Sequence, residues 1–283
     1  MSIFAHTNNN FFMMNVLSTT PYIPQKVVMI GAGRVASHLA PALHAHGVHF
    51  VQVYSRTLAS AQSLAEQIGA EAIDSVASLC SDADCYLVSL TDEALVTLAS
   101  RLVEGREQAL WVHTAGSVPM QLFEGKAARY GVIYPMQTFS KGVAVDFPSL
   151  SVFVEGSSSE ALQQLWQLAS LLTTHVHKAD SSQRKALHVA AVMACNFVNY
   201  CYSMAQRWLE QQGLPFESML PLIDETARKV HELKPTQAQT GPAVRGDHRI
   251  IDEHLQLLRS APELQTVYRL LSERIAASKA DGE

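Results

Sequence analysis

The sequence predicts an α/β fold, a doubly wound and mostly parallel sheet, followed by an all-α helical domain. Short apolar strands alternate with helical segments through most of the chain. A glycine-rich turn follows the first of these strands directly. After residue 180 the strand signals stop, and helical periodicity continues alone. These observations divide the chain into a flexible extension at residues 1–25, a sheet domain at 26–179 and a helical domain at 180–283.

The first strand and the turn after it match a dinucleotide-binding pattern. KVVMI at residues 26–30 is a continuous apolar run, as expected of a strand that is buried on both faces. GAGRVA follows at once, with glycines for the tight turn and the pyrophosphate approach and an alanine for close helix packing. The next helix presents free N–H groups to the phosphates. The predicted cofactor contacts in this Rossmann-like turn are Gly31, Ala32, Gly33, Arg34 and Val35.

The end of the second strand favours NADP over NAD. HFVQVYSRT at residues 49–57 is the strand in question. An NAD-binding unit carries Asp or Glu about 20 residues after the glycines, where it binds the ribose 2′-hydroxyl. This chain has Ser55, Arg56 and Thr57 there instead, and a guanidinium with two hydroxyls suits a 2′-phosphate. We therefore predict NADP as the cofactor and these three residues as contacts.

The remaining strands bring polar side chains to one edge of the sheet. Strands are predicted near Ala72 and within residues 84–90, 109–117, 131–142, 151–156 and 175–179. Ligands of such sheets bind outside the carboxyl ends of the strands. The further cofactor contacts predicted on this basis are Ser89, Leu90, Thr91, His113 and Thr114. The candidate substrate contacts are Ser117, Tyr134 and Gln137.

The helix after the last strand carries one polar line on an otherwise apolar surface. It is predicted to begin at the caps Ser181 and Ser182 and to extend to Gly213. In KALHVAAVMACNFVNYCYSMAQ, residues 185–206, the polar side chains fall within about 80° of one another on a helical projection. Because the rest of the circumference is apolar, we expect this helix to be buried around most of its girth.

The polar line has two interpretations. Its members either satisfy one another within the core or face a ligand. Binding pockets favour domain junctions, and the first turns of this helix follow the last strand directly, which favours a ligand there. We therefore predict Lys185 and His188 as catalytic residues, either of which protonates a substrate oxygen or nitrogen as hydride arrives. Asn196 and Asn199 are candidate substrate contacts.

The C-terminal part of the chain is predicted to be helical around one ordered loop. Helical patterns cover residues 215–233, 248–260 and 261–277. KPTQAQTGPAVRGD at 234–247 is rich in Pro, Gly, Thr and Gln, which is typical of a loop. Arg245 supplies a positive charge in this loop, and Asp247 is a candidate helix cap.

Composition excludes several other classes of function. The 283 residues carry 21 basic and 26 acidic side chains with no basic stripe, which argues against a nucleic-acid partner. No run of about 18 apolar residues occurs, so no membrane span is expected. Four cysteines without a CxxC pair fit a reduced cytoplasm. The histidine cluster HAHGVH at 44–49 lies at a helix end away from the ligand edge, so we predict no metal site.

Five motifs together resemble a known family: GAGRVA, HTAGSVP, YPMQTFSK, QRKALHVAAVMACNF and TGPAVRGD. They are similar to the Rossmann-like proteins labelled NADP oxidoreductase, deazaflavin-dependent, whose C-terminal helical domain is a domain of unknown function. The resemblance covers about residues 26–275. It places the chain near ketopantoate reductases, pyrroline-carboxylate reductases and hydroxyacid dehydrogenases. It implies NADP binding, hydride transfer and a homodimer formed through the helical domain.

The resemblance also implies roles for particular residues. His188 and the TGPAVRGD loop recur as signature elements of the family, which makes Thr240, Gly241, Arg245 and Asp247 site candidates. The hydroxyacid dehydrogenase pattern places a catalytic Lys four residues before an Asn. In this chain Val189 stands at that spacing from Lys185. No residue indicates a deazaflavin site rather than an NADP site.

Two functions follow from these expectations. The first is an NADP-dependent reductase or dehydrogenase that acts on a small, anionic carbonyl or imine substrate, with Arg245 as the anion partner. The second is a non-catalytic protein that binds NADP(H) or senses a metabolite. The fold alone does not separate them, because function depends on the site.

Overall fold

The computed structural model describes residues 22–280, with side chains as far as residue 278. The predicted flexible extension at residues 1–25 therefore lies almost entirely outside the described residues. Eight strands form one sheet: β1 Val27–Ile30, β2 Phe50–Tyr54, β3 Glu71–Ile73, β4 Cys85–Val88, β5 Leu110–His113, β6 Arg129–Pro135, β7 Val152–Gly156 and β8 Val176–Lys178. Their order is β3-β2-β1-β4-β5-β6-β7-β8. All neighbours pair in parallel except β6 and β7, which confirms the predicted doubly wound, mostly parallel sheet.

Helices connect these strands and then continue alone. The helices between strands are α1 Ala36–Ala45, α2 Leu58–Ile68, α3 Asp92–Val103 and α4 Ser159–Ser170. Those after the sheet are α5 Ser181–Ala191, α6 Val198–Gln211, α7 Leu220–Glu232, α8 Pro235–Ala238, α9 Pro242–Arg245, α10 His248–Leu257 and α11 Pro262–Ala280. The predicted loop at 234–247 thus contains two short helical turns, α8 and α9. The helical C-terminal region is confirmed.

Each face of the sheet is covered by its own apolar cluster. Helices α1, α2 and α4 pack on one face, where Leu39, Leu64 and Leu165 are buried. Helix α3 and the short 3₁₀ turn at Met120–Phe123 pack on the other face, where Leu95 and Phe123 are buried. Parallel strands are expected to be covered on both faces in this way, because their crossover helices lie there.

The strand order reverses at β1, which lies between β2 and β4. The carboxyl ends of these strands meet around the first glycine. The Gly31 N–H donates to the Tyr54 carbonyl at 2.8 Å, and the Ser89 N–H donates to the Ile30 carbonyl at 2.7 Å. Gly31 has φ +113°, and a Cβ there would lie 2.1 Å from the Ser89 carbonyl oxygen. Both backbone conformation and space therefore require glycine at this position.

The long helix predicted from residue 181 is present, with two differences in detail. Its N-cap is Asp180, whose side chain accepts from the Ser182 and Gln183 N–H groups in a capping box, so the assignment of the caps to Ser181 and Ser182 was wrong. A π-helical segment, Val192–Phe197, separates α5 from α6. The chain forms two compact units that divide inside this segment, after Met193. The domain boundary predicted at residue 179 stays a prediction.

The expectation that this helix is buried around most of its girth was wrong. Val189, Met193, Phe197 and Tyr200 are between 51% and 63% exposed. They follow one another at spacings of three and four along α5, the π-helical segment and α6. In the described part of the second unit, the buried apolar residues are Met204, Ala243 and Leu258. Periodicity identified the apolar residues correctly, but the described part of the chain leaves them exposed.

Candidate functional site

The residues predicted to contact NADP follow the carboxyl ends of neighbouring strands. Gly33 and Arg34 are exposed in the turn after β1, and a Cβ at Gly33 would meet no atom within 4 Å. After β2, Ser55 is half-buried while Arg56 and Thr57 are exposed. Because β1 and β2 pair in parallel, both groups of residues lie at the same edge of the sheet.

The segments after β4 and β5 are tied to each other at this edge. Ser89 and Leu90 are half-buried after β4. Thr91 caps α3, and its hydroxyl accepts from a backbone N–H of the first turn at 3.4 Å. From the segment after β5, the Ser117 hydroxyl donates to the carboxylate of Asp92. The hydroxyl proton of Ser117, a predicted substrate contact, is therefore already used in a hydrogen bond within the protein.

His113, predicted as a cofactor contact, is fully buried at the end of β5. Its Nδ1 accepts from the Ala115 N–H at 3.2 Å. Its Nε2 is buried without a hydrogen-bond partner among the described residues. Burial, helped by the nearby positive charge of Arg184, lowers the pKa of His113 to about 3. The ring is therefore neutral and shapes the turn that carries the buried Thr114.

The sequence analysis missed Arg184, which is 1% exposed. Its guanidinium forms a buried ion pair with Glu155 of β7. It also donates to the carbonyl oxygen of Ala115 at 3.1 Å and to that of Val118. One side chain thus fixes helix α5, strand β7 and the turn after β5 together.

The carboxylate of Glu155 completes this network at the start of α5. It accepts from the backbone N–H of Ser181 at 2.9 Å and from the hydroxyl of the same residue at 2.9 and 3.0 Å. A carboxylate at a helix N-terminus is favourable, because the free N–H groups there carry partial positive charge. Both charges of the ion pair are therefore paired and hydrogen-bonded, as buried charges must be.

One turn after Arg184, the ring of His188 lies between two segments of the sheet. Its Nδ1 is 3.3 Å from the hydroxyl of Tyr134, which is near the end of β6. Burial raises the pKa of Tyr134, and the charge of Arg184 opposes that shift. A Cβ at Gly116 would lie 2.8 Å from the same Nδ1, so the turn after β5 needs glycine where the ring packs. The structure thus brings together two residues that the sequence predicted separately.

The other predicted site residues are not joined to this pair by the contacts described. Lys185 is exposed, and the Gln137 side chain accepts from the Thr138 N–H at 2.7 Å. In the helical unit, four of the remaining candidates are exposed: Asn196, Asn199, Thr240 and Arg245. Gly241 and Asp247 are half-buried, and the Asp247 side chain accepts from the Ile250 N–H at 3.3 Å as the N-cap of α10, which confirms the predicted cap. Their roles stay predictions.

A sequence signal for Arg184 existed. Arg184 and His188 are four residues apart, and residues at that spacing share a helix face. Arg184 stands just before the stretch at residues 185–206 in which the polar line was identified, and an arginine is usually solvated. Its charged partner, Glu155, lies 29 positions earlier in the chain.

Residues 22–280 contain neither a metal-binding cluster nor a membrane-spanning helix. No cluster of three or more His, Cys, Asp or Glu side chains there is arranged to hold a metal ion. No helix in that range combines the length and the apolar character that a bilayer crossing requires.

The eight-stranded, mostly parallel sheet and its crossover helices define a Rossmann-like protein with a helical C-terminal region. Residues 18–114 match the model of the shikimate/quinate 5-dehydrogenase family, and residues 150–275 match a domain of unknown function, DUF2520. A Bacteroides fragilis protein, provisionally named an NADP oxidoreductase, is 51% identical, with a TM-score of 0.86 over 89% of this chain and 98% of that chain. The chain belongs to this family of Rossmann-like proteins with a DUF2520 domain.

More distant similarities concern the fold or a short segment. An imine reductase from Myxococcus stipitatus in complex with NADP⁺ is 18% identical, with a TM-score of 0.60 over 90% of this chain and 93% of that chain. A glutamyl-tRNA reductase from Legionella pneumophila is 46% identical over 52 residues, 18% of this chain. The chain spans only 12% of that relative's length.

We expect Glu155→Gln to destabilise the protein strongly. The substitution leaves Arg184 buried at 1% exposure without an opposing charge, which costs about 3–5 kcal/mol of the free energy of unfolding. Urea denaturation measures the loss. The matched control is Glu225→Gln, which breaks a solvent-exposed ion pair with Arg228 and should change stability little. Equal losses in the two variants would contradict the importance of the buried pair.

We expect His113 to make stability fall in acid. Its pKa is 6.5 in its ordinary state and about 3 in the folded protein, so between these values the unfolded chain binds a proton that the folded chain does not. Stability then falls as pH is lowered, by about 1.4 kcal/mol per pH unit from this group. His113→Asn keeps an acceptor for Ala115 but does not titrate. Urea denaturation between about pH 6.5 and about pH 4 should show the shallower slope in the variant, and identical slopes would refute the assignment.

Proposed function

We propose that the protein is an NADP-dependent oxidoreductase that transfers a hydride to or from a small, anionic carbonyl or imine substrate. The observation that supports this proposal is the contact between Tyr134 and His188, two proton-bearing side chains. Both belong to the first compact unit, which also contains the glycine-rich turn at residues 31–35. The names of the Bacteroides fragilis protein and of the Myxococcus stipitatus imine reductase support the same class of chemistry.

The residues that follow the carboxyl ends of β1 and β2 fit NADP. Open space above Gly33 admits the close approach of a pyrophosphate to the backbone. Arg56 supplies a positive charge, and Ser55 and Thr57 supply hydroxyl donors, where a 2′-phosphate is expected. When bound, NADPH supplies the hydride. Ser89, Leu90 and Thr91 extend the proposed contacts to the end of β4.

The role proposed for His188 is to hold the proton that accompanies hydride transfer. With the Tyr134 hydroxyl donating to Nδ1, the other ring nitrogen, Nε2, carries the proton. Because burial raises the pKa of Tyr134, its hydroxyl remains a donor. Nε2–H then donates to the oxygen or nitrogen of the substrate double bond. As that proton passes to the substrate, Nδ1 takes the hydroxyl proton of Tyr134, so the ring stays neutral, and solvent returns a proton to the tyrosine oxygen. The tyrosine is a positioning residue that selects the tautomer.

The close packing of Gly116 against the His188 ring supports a role that depends on position. A methyl group at this glycine would lie 2.8 Å from Nδ1 and 2.9 Å from Cγ, so the ring would have to move. A misplacement of about 1 Å can cost about a hundredfold in rate. The same network that buries Arg184 keeps this turn in place.

We expect His188→Ala to reduce the turnover of NADPH by about 10²–10⁴-fold with little change in NADPH affinity, since general acid catalysis contributes that much. Gly116→Ala should lower turnover by displacing the same ring. His175→Ala, which alters an exposed histidine of the same unit, is the control. NADPH oxidation is measured against a panel of oxo acids, aldehydes and imines.

Two outcomes would contradict this assignment. Unchanged turnover in His188→Ala would show that this histidine takes no part in the reaction, and Lys185 would then be the remaining predicted proton donor. If the wild-type protein binds NADPH but oxidises it with no compound of the panel, the function is non-catalytic NADP(H) binding or metabolite sensing instead.

We also propose that the protein is a homodimer formed through its helical unit. Val189, Met193, Phe197 and Tyr200 are exposed apolar residues along α5, the π-helical segment and α6. The second unit, which contains Phe197 and Tyr200, has few buried apolar residues among those described. Neighbouring exposed apolar side chains mark an interaction surface. A second copy offers the same face, so a symmetric interface would cover both at once.

We expect Phe197→Asp to shift the protein from dimer to monomer. Phe197 is 54% exposed in the single chain, so the substitution should leave the fold of the monomer intact while placing a charge in the interface. Sedimentation velocity at micromolar concentration measures the mass. Gln206→Asp, at an exposed polar position of α6, is the control. A wild-type protein that sediments as a monomer would overturn the proposal.

A further inference from the structure

A cleft of about 430 Å³ opens between α1 and α2, next to the dinucleotide turn. One wall belongs to the turn and the first residues of α1, and the other belongs to α2. The connection between β6 and β7 contributes the remaining lining. The lining residues that matter here are Ala32, Ser37, His38, Ser60, Lys141 and Gly142.

The connection between β6 and β7 lies at this cleft because residues on both sides of Lys141 contact His38 of α1. The buried ring of Phe139 lies 5.5 Å from the ring of His38. On the other side of Lys141, the Val143 carbonyl oxygen lies 3.0 Å from His38 Nε2. The second nitrogen of that ring is 2.7 Å from the Arg34 carbonyl oxygen, so the ring bridges the turn and the connection. Lys141 is therefore held between two anchors.

The cleft adjoins the residues proposed to bind the 2′-phosphate. Ser60 lies in the first turn of α2, and its backbone N–H donates to the carbonyl of Thr57 at 3.0 Å. Ser37, Ser60 and Ser63 line the cleft, and none of the described residues that line it carries a carboxylate. Lys141 supplies a positive charge to the lining of the cleft. The chemistry suits a phosphate group.

We propose that this cleft receives the 2′-phosphate of NADP(H) and that Lys141 is a specificity-determining residue, which acts together with Arg56. A phosphate monoester carries about two negative charges near pH 7, so one arginine leaves it incompletely neutralised. Lys141 comes from a segment about 85 positions after Arg56 and supplies the second cation. The inference rests on the proposed NADP cofactor.

The test compares two adenosine ligands by isothermal titration calorimetry with the full chain. Adenosine 2′,5′-bisphosphate carries the 2′-phosphate, and adenosine 5′-monophosphate lacks it. Lys141→Ala should weaken binding of the bisphosphate about tenfold and leave binding of the monophosphate unchanged, since a charged hydrogen bond is lost. Lys141→Arg should restore most of the affinity. The control is Lys178→Ala, which removes an exposed lysine from β8, outside the cleft.

The outcomes separate this inference from the proposed cofactor. If the wild-type protein prefers the bisphosphate and Lys141→Ala retains that full preference, NADP stands and the role of Lys141 is overturned. Equal weakening of both ligands also overturns it, because the lysine then acts on the adenosine or on folding. If the wild-type protein has no preference for the 2′-phosphate, the cofactor proposal fails and the cleft assignment fails with it.

Discussion

The buried ion pair between Arg184 and Glu155 is the constraint on which the geometry of the site depends. A buried charge is tolerated only when its hydrogen-bonding capacity is used. Here the arginine uses two backbone carbonyls of the turn after β5, and the glutamate uses the first N–H and the hydroxyl of Ser181. Because both buried charges need these partners, helix α5, strand β7 and the turn after β5 are held in one arrangement.

The position of His188 is a consequence of that arrangement. It lies one helical turn after Arg184, so its ring reaches the segment that the arginine already holds. Gly116 belongs to this segment, and its missing side chain makes room for the ring. Tyr134 approaches from β6 to within 3.3 Å of the ring. A single ion pair thus supports a contact between residues from three separate parts of the chain.

Sequence patterns predicted the elements that depend on residues close together in the chain. The strand set, the turn at Gly31 and the helical second half follow from periodicity and glycine requirements, and the structure has them. Arg184 was not predicted, because hydropathy treats an arginine as solvated unless its distant partner is known. The expected burial of Phe197 and its neighbours was wrong for the related reason that periodicity identifies an apolar face but not what covers it. The N-cap was misplaced because Asp180 and two serines are all good caps.

We propose above all that Tyr134 holds His188 as one defined tautomer next to the site proposed for NADP⁺. Side-chain ¹⁵N NMR of histidine-labelled protein tests it most directly, with and without NADP⁺. The account predicts that Nδ1 of His188 is the unprotonated nitrogen, that Tyr134→Phe perturbs its resonance, and that adding NADP⁺ shifts it further. A His188 resonance that reports exchange between tautomers and is unchanged by both Tyr134→Phe and NADP⁺ would contradict this proposal.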